Sequence, residues 1–296
     1  MHDFKGLGIA IITPFGPEGN IDYPALRRLI EFWIEGGADY LVVMGTTGES
    51  VTLDSEERDD LLRFVVAEVR GRVPVVAGIG GNNTRQVLRA LENLDTRGVA
   101  GILSVVPYYN KPNQEGLYQH FAHIAQATPL PLLLYNVPAR TGSNMTAETT
   151  LRLAHQFPVV AGIKEASGNL DQITHILRDR PKNFLVLSGD DNLTLPMMAA
   201  GADGVISVVA NAFPADYSVL VRAMLRGDLE SARLPHLKLF RLVQLLFADG
   251  SPGGIKYVLS RMGLVQPALR LPLWEISDGV KQQLDRELNN LGLGKN

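Results

Sequence analysis

The sequence predicts an α/β fold, a (β/α)8 TIM barrel with a C-terminal helical appendage, and three observations carry that expectation. Eight short, β-branched apolar runs recur along the chain. They are near-continuously apolar rather than alternating, as parallel strands buried on both faces must be. Most are followed by an amphipathic stretch, with room for a loop and a crossover helix before the next run. An open doubly wound sheet of eight parallel strands is the rival, and no Gly-rich dinucleotide fingerprint follows the first run to support it. At 296 residues the chain can hold one barrel, which commonly takes about 250.

The first run covers residues 7–13. After it, Pro24 suits a first helical turn, Leu26, Leu29, Ile30 and Trp33 line a stripe, and Gly36-Gly37 ends the helix. The second, 39–43, precedes Asp54-Ser55-Glu56-Glu57, where Asp54 can cap a helix and Glu57 stands at the capping-box position. Leu61, Leu62, Val65, Val66 and Val69 then share a helical face. The third, 74–78, leads to Asn83 and Gln86, the same box ahead of Val87, Leu88 and Leu91. The remaining runs are 101–105, 131–135, 159–163, 184–188 and 204–208. After about residue 213 no strand pattern recurs; 217–225, 229–247 (interrupted at Pro235), 255–262 and 276–291 read as helices. The barrel is therefore assigned to residues 1–225 and a helical region to 226–296.

Hydrophobic residues make up 46% of the chain and charged residues 20%, the balance of a soluble globular protein with a substantial core. A net charge of −3 predicts no basic face for nucleic acid or an anionic membrane. There is no cysteine, which removes disulfides, Cys-zinc sites and thiol catalysis and suits a reducing compartment. With neither a basic-then-apolar leader nor a membrane-length apolar run, the cytoplasm is the expected location.

In a barrel, chemistry sits at the C-terminal ends of the strands and in the loops that follow. After the second run come Gly45-Thr46-Thr47-Gly48-Glu49-Ser50. The fourth leads to Pro107-Tyr108-Tyr109-Asn110, the fifth ends at Tyr135 with Asn136 and Arg140 beyond, Lys164-Glu165 close the sixth, and the seventh gives Gly189-Asp190-Asp191. Lys164 is the sharpest signal, a cation directly after Val159-Val160-Ala161-Gly162-Ile163. Desolvation at a buried strand mouth disfavours the ammonium and favours a neutral amine able to attack a ketone. A structural ion pair with Glu165 or Glu49 is the plain alternative, and the Tyr and Thr hydroxyls on the same rim tip the balance towards chemistry.

Tyr135 suits a general acid/base whose proton passes along Thr46 and Tyr109, or else an aromatic core residue. Thr47 and the glycine-flanked amides of its loop can hold a small carboxylate. Arg140 is placed to grip a second one, although a lone loop arginine is usually solvated. Weaker signals carry little. His120 and His123, at i and i+3, read as a surface helix pair before a metal site. Gly78-Ile79-Gly80-Gly81 lacks the full spacing of a phosphate loop. Asp190-Asp191 reads as a helix cap before a Mg²⁺ site.

Five motifs in order, each after its strand, make the pattern specific: Gly45-Thr-Thr-Gly-Glu-Ser50, Pro107-Tyr-Tyr-Asn-Lys-Pro112, Tyr135-Asn-Val-Pro-Ala-Arg-Thr-Gly142, Gly162-Ile-Lys-Glu-Ala-Ser167 and Ser188-Gly-Asp-Asp191. From about Gly6 into the C-terminal helices, the chain resembles the dihydrodipicolinate synthase group within the N-acetylneuraminate lyase superfamily of class I aldolases. The resemblance implies that Lys164 forms a Schiff base with pyruvate. It makes Tyr135, Thr46 and Tyr109 a proton relay, Tyr109 reaching in from a neighbouring subunit. Thr47 and Ile206 fall at positions that contact pyruvate, Gly189 lines the same pocket, and Arg140 receives the carboxylate of L-aspartate 4-semialdehyde. A homotetramer of tight dimers is implied, and no metal or organic cofactor.

One departure stands out. Lysine-inhibited relatives carry histidines and a glutamate at positions matching Ser55, Arg58 and Gln86, so weak or absent feedback by lysine is expected. The alternatives left open are a sialic acid lyase or 2-keto-3-deoxy sugar acid aldolase, which would want neutral partners where Arg140 stands, and a barrel that binds without turnover. A metal-dependent hydrolase is a third, opposed by the lack of grouped histidines at strand ends.

Overall fold

The structure is a computed structural model and describes residues 4–293. Eight parallel strands close into a barrel in sequence order: β1 Gly6–Ala10, β2 Tyr40–Val43, β3 Val75–Gly78, β4 Gly101–Val105, β5 Leu132–Asn136, β6 Val160–Glu165, β7 Leu185–Ser188 and β8 Gly204–Ser207. β8 returns to β1 through rungs such as Gly8–Ile206, so no edge is left open. The closed ring excludes the open-sheet rival.

Eight helices, counted with one short piece, separate or follow the strands up to the last: α1 Tyr23–Glu35, α2 Ser55–Val69, α3 Thr84–Glu92, α4 Gln114–Ala127, α5 Pro138–Thr141, α6 Ala147–Gln156, α7 Leu170–Asp179 and α8 Thr194–Ala199. Four more complete the chain: α9 Pro214–Leu225, α10 Leu229–Leu246, α11 Gly253–Arg261 and α12 Asp278–Asn290. Among the described residues no helix is long and apolar enough to cross a membrane.

The continuous apolar runs feed two cores. Leu41, Ile102, Leu134, Ile163 and Val186 face the helices, while Tyr40, Val42, Val76, Leu103, Leu133, Leu187 and Ile206 fill the barrel. Phe4 enters this interior from below and meets the Tyr40 ring edge-on, with centroids 5.7 Å apart. Gly8 gives Tyr40 its space: a Cβ there would lie 2.3 Å from the ring.

Several boundaries move for physical reasons. β1 stops at Ala10 because the Ile12 N–H goes to the Asn211 side chain, which also donates to the Ala10 carbonyl. Asp54 and Glu57 form the full capping box at α2, whereas at α3 Asn83 accepts from the Gln86 N–H without the reciprocal bond. α10 is not interrupted at Pro235 but runs through it. A proline there removes one helical hydrogen bond, and packing of buried Ala232, Leu239, Leu242, Val243 and Leu246 outweighs the loss.

Candidate active site

Lys164 lies inside β6, not beyond it, and a bulge decides which way it faces. Between the rungs Leu132–Val160 and Leu133–Gly162 the sixth strand has one residue more than the fifth. Ala161 is that extra residue; two residues oppose one, and alternation then sends Ile163 to the helices and Lys164 into the barrel. Its rung neighbours are Tyr135 on β5 and Leu187 on β7.

The side chain is 4% exposed, and Nζ sits 4.3 Å from the centroid of the Tyr135 ring. A Cβ on Gly189 would lie 3.0 Å from both Cγ and Cε of Lys164, so only glycine leaves the lysine stem its channel. Ile206 belongs to the same inner core as Tyr135 and Leu187. The structure thus brings Lys164, Tyr135, Gly189 and Ile206 together on an apolar floor.

Lys164 forms no ion pair among the described residues, and the two glutamates that could have paired with it are engaged elsewhere. Glu49 pairs with Lys256, both fully buried. Glu165 faces outward and is held by neutral donors: Asn136 Nδ2 at 3.1 and 3.2 Å, the Ser167 N–H at 2.7 Å and Gln172 Nε2 at 3.2 Å. Burial raises its pKa above the usual carboxylate value. Asn136 in turn binds Asn144 and the Met145 N–H, which fastens the segment after α5 to the β5 and β6 ends.

Thr46 and Thr47 lie on the loop after β2. Thr47 is buried and Thr46 exposed. Bonds from Gly48 N–H to Gly45 and from Glu49 N–H to Thr46, both 3.1 Å, fold this loop into turns. The N–H groups of Thr46 and Thr47 themselves have no partner among the described residues. Two successive free amides make an anion-binding concavity. Thr13 Oγ1 holds the Gly48 carbonyl at 2.7 Å, and Arg58 forks onto the Ser50 carbonyl at 2.8 and 3.1 Å.

Arg140 sits in the last turn of α5, exposed and without a carboxylate partner among the described residues. Tyr109 does not join the cluster around Lys164; it is 86% exposed, with its N–H on the Thr141 carbonyl at 3.3 Å. Of the five described non-glycine residues with positive φ, four (Met44, Glu49, Tyr109 and Lys111) lie in the loops after β2 and β4. Such backbone concentrates where a site is held in shape.

Asp191 caps nothing. Asp190 caps the short 3-10 turn, accepting from the Asn192 N–H. Fully buried, Asp191 takes the Val208 and Val209 N–H groups at 3.0 and 2.9 Å, just past Ile206, and burial pushes its pKa up to about 6. His120 is not a surface residue: it is buried, its Nδ1 lies 2.8 Å from Thr84 Oγ1, and desolvation lowers its pKa to about 4.

The Dihydrodipicolinate synthetase family model matches residues 3–291, nearly the whole chain. The chain belongs to the dihydrodipicolinate synthetase family. A 4-hydroxy-tetrahydrodipicolinate synthase of Parabacteroides distasonis is 53% identical over 271 residues, covering 92% of this chain and 91% of its own. The dihydrodipicolinate synthase of Thermotoga maritima superposes with a TM-score of 0.96 at 41% identity, over 99% of this chain and 100% of that one. The chloride-inhibited synthase of Acinetobacter baumannii, solved in complex with pyruvate, gives 0.95 at 37% identity over 98% and 100%. Membership of the dihydrodipicolinate synthetase family disfavours the sialic acid lyase, sugar acid aldolase and non-catalytic readings.

Two residues of this family member escaped the sequence reading. Lys256 and Arg270 both act on Glu49, the first through an ion pair and the second through its N–H at 3.1 Å. The available signal was a lone cation between Ile255 and Val258-Leu259, on the apolar face of α11.

Proposed function

We propose that the protein condenses pyruvate with L-aspartate 4-semialdehyde to give 4-hydroxy-tetrahydrodipicolinate, as a cytoplasmic enzyme of lysine and diaminopimelate biosynthesis. The observation that carries this reading is the buried amine of Lys164, free of any carboxylate and set against Tyr135.

The Lys164 amine attacks the keto carbon of pyruvate, and water leaves as the imine forms. Withdrawal of electrons by the imine lets a methyl proton depart, giving an enamine. The enamine carbon bonds to the aldehyde carbon, whose oxygen takes a proton and becomes the hydroxyl. The amine of the second substrate then attacks the imine carbon, closes the ring and releases Lys164. Tyr135, Thr46 and Tyr109 carry the protons. The free amides and hydroxyl of the loop at Thr47 seat the pyruvate carboxylate, with Ile206 and Gly189 bounding the methyl end. Arg140 receives the carboxylate of the aldehyde.

Tyr109 is too exposed to serve its own subunit without a neighbour. It enters the site of an adjoining copy in a tetramer built from tight dimers. Borohydride reduction in the presence of pyruvate should leave a mass adduct on Lys164, and Lys164→Ala should remove both adduct and turnover while the protein stays folded. No adduct on the wild type, or turnover in the alanine variant, sinks the reading. Faster cleavage of N-acetylneuraminate than condensation with aspartate semialdehyde would redirect it to a different aldolase.

A further inference from the structure

We propose that the Glu49–Lys256 ion pair is a positioning device for pyruvate capture, through which the C-terminal region holds the loop of Thr46 and Thr47 in its binding shape. The inference rests on the reading of that loop as the seat of the pyruvate carboxylate.

Glu49 stands two positions past Thr47, in left-handed backbone at φ 53°, and its side chain is fully buried. Oε1 meets Lys256 Nζ, and Oε2 accepts the Arg270 N–H at 3.1 Å. Lys256 also donates to the Ala268 carbonyl at 2.9 Å. The Arg270 guanidinium reaches further along the same loop, to the Thr52 carbonyl at 3.0 Å and to both oxygens of Glu57 at 2.7 and 2.5 Å. Both cations lie over the Phe15 ring, Nζ at 4.1 Å and the guanidinium carbon at 4.5 Å from its centroid.

Cohesion alone does not account for this arrangement. Desolvation roughly cancels the attraction of a buried ion pair, and apolar side chains of equal volume hold two elements together at least as well. What the carboxylate adds is direction. Two fixed donors on its two oxygens orient Glu49 and keep its backbone in a conformation most residues avoid. That conformation sustains the Glu49 N–H to Thr46 carbonyl bond, the turn that leaves the Thr46 and Thr47 amides unpaired. Lys256 touches no substrate and acts through Glu49.

The test separates positioning from stability by measuring the two substrates independently on the full-length protein. In Glu49→Met/Lys256→Met the charges vanish together, so the melting temperature should hold. Its KM for pyruvate should nevertheless rise about tenfold while the KM for aspartate semialdehyde stays within about twofold. Lys256→Arg, which keeps a cation and needs no repacking from charge to apolar, should show the same one-sided shift at about threefold. Thr47→Val, the control on the underlying reading, should raise the pyruvate KM at least as far as the double variant. If Thr47→Val raises it and the folded double variant or Lys256→Arg does not, the positioning role is overturned and the carboxylate seat survives. Equal shifts in both KM values also overturn it. An unchanged pyruvate KM in Thr47→Val overturns the seat, and the proposal with it.

Discussion

Two glutamates are buried at the rim of this barrel, and they are buried in different ways. Glu49 is neutralised by Lys256, a residue 207 positions away on α11. Glu165 has no cation partner among the described residues and is held by the amides of Asn136 and Gln172 and by the Ser167 N–H, the farthest of them 29 positions off. The first spans from the barrel to the C-terminal helices; the second ties neighbouring strands to the segment behind them. The difference lies in how each can fail. Taking away Lys256 strands a charge, because Glu49 has one other donor. Taking away the Gln172 amide from Glu165 leaves three bonds in place, and its raised pKa lets the group accept a proton. Burial likewise lowers the pKa of Lys256, to about 8, against the attraction of Glu49, which raises it.

The contrast should show first in stability. Lys256→Met is expected to cost about 3–5 kcal/mol by urea denaturation at neutral pH, with Glu49→Met/Lys256→Met recovering most of it. A cost under about 1 kcal/mol would mean that Glu49 finds solvent and the contrast is false. Asp191 sharpens the comparison as a third buried carboxylate, which accepts the Val208 and Val209 N–H groups and has no cation partner among the described residues. Its folded pKa of about 6 lies above the ordinary 3.8, so its contribution is full at low pH and is lost as pH rises through about 6. Relative to Asp191→Asn, the wild type should therefore lose on the order of 2–3 kcal/mol between pH 4 and pH 7. A constant difference at the two pH values would place its titration in the ordinary range.

Smaller effects follow. Gln172→Ala removes one of three donors to Glu165 and should cost about 1 kcal/mol; a loss as large as that of Lys256→Met would erase the distinction between the two glutamates. The smallest expected effect is at the positions of Ser55, Arg58 and Gln86. Arg58 spends its guanidinium on the Ser50 carbonyl, and Gln86 offers no charge. Sub-millimolar lysine should leave the steady-state rate unchanged, and inhibition there would show that the loop of Glu49 is reached by an effector.

All eight strands were legible because both faces of each are buried and the apolar runs are short and sharply bounded. Closure followed from counting them. Pro235 was misjudged because local propensity was set against a buried helix face that only the tertiary structure reveals. The reactive types at the rim could be read because strand ends announce the loops after them, and motif order gave each an expected role. The direction of Lys164 could not be read, since a bulge at Ala161 leaves no mark in an apolar run. Neither could the partner of Glu49: a contact across 207 positions has no local trace beyond a lysine in apolar company. The outward stance of Tyr109 was anticipated only through the family resemblance.

The bulge that absorbs Ala161 keeps the phase of everything after it in β6. Straighten the bulge while keeping Ala161, and every later rung slips by one residue. Glu165 would then project into the mouth of the barrel while Lys164 was pressed against the helices. Loss of Ala161 itself would leave Lys164 opposite Tyr135, whereas one further residue inserted before Lys164 would demand a second bulge to keep it facing the barrel interior.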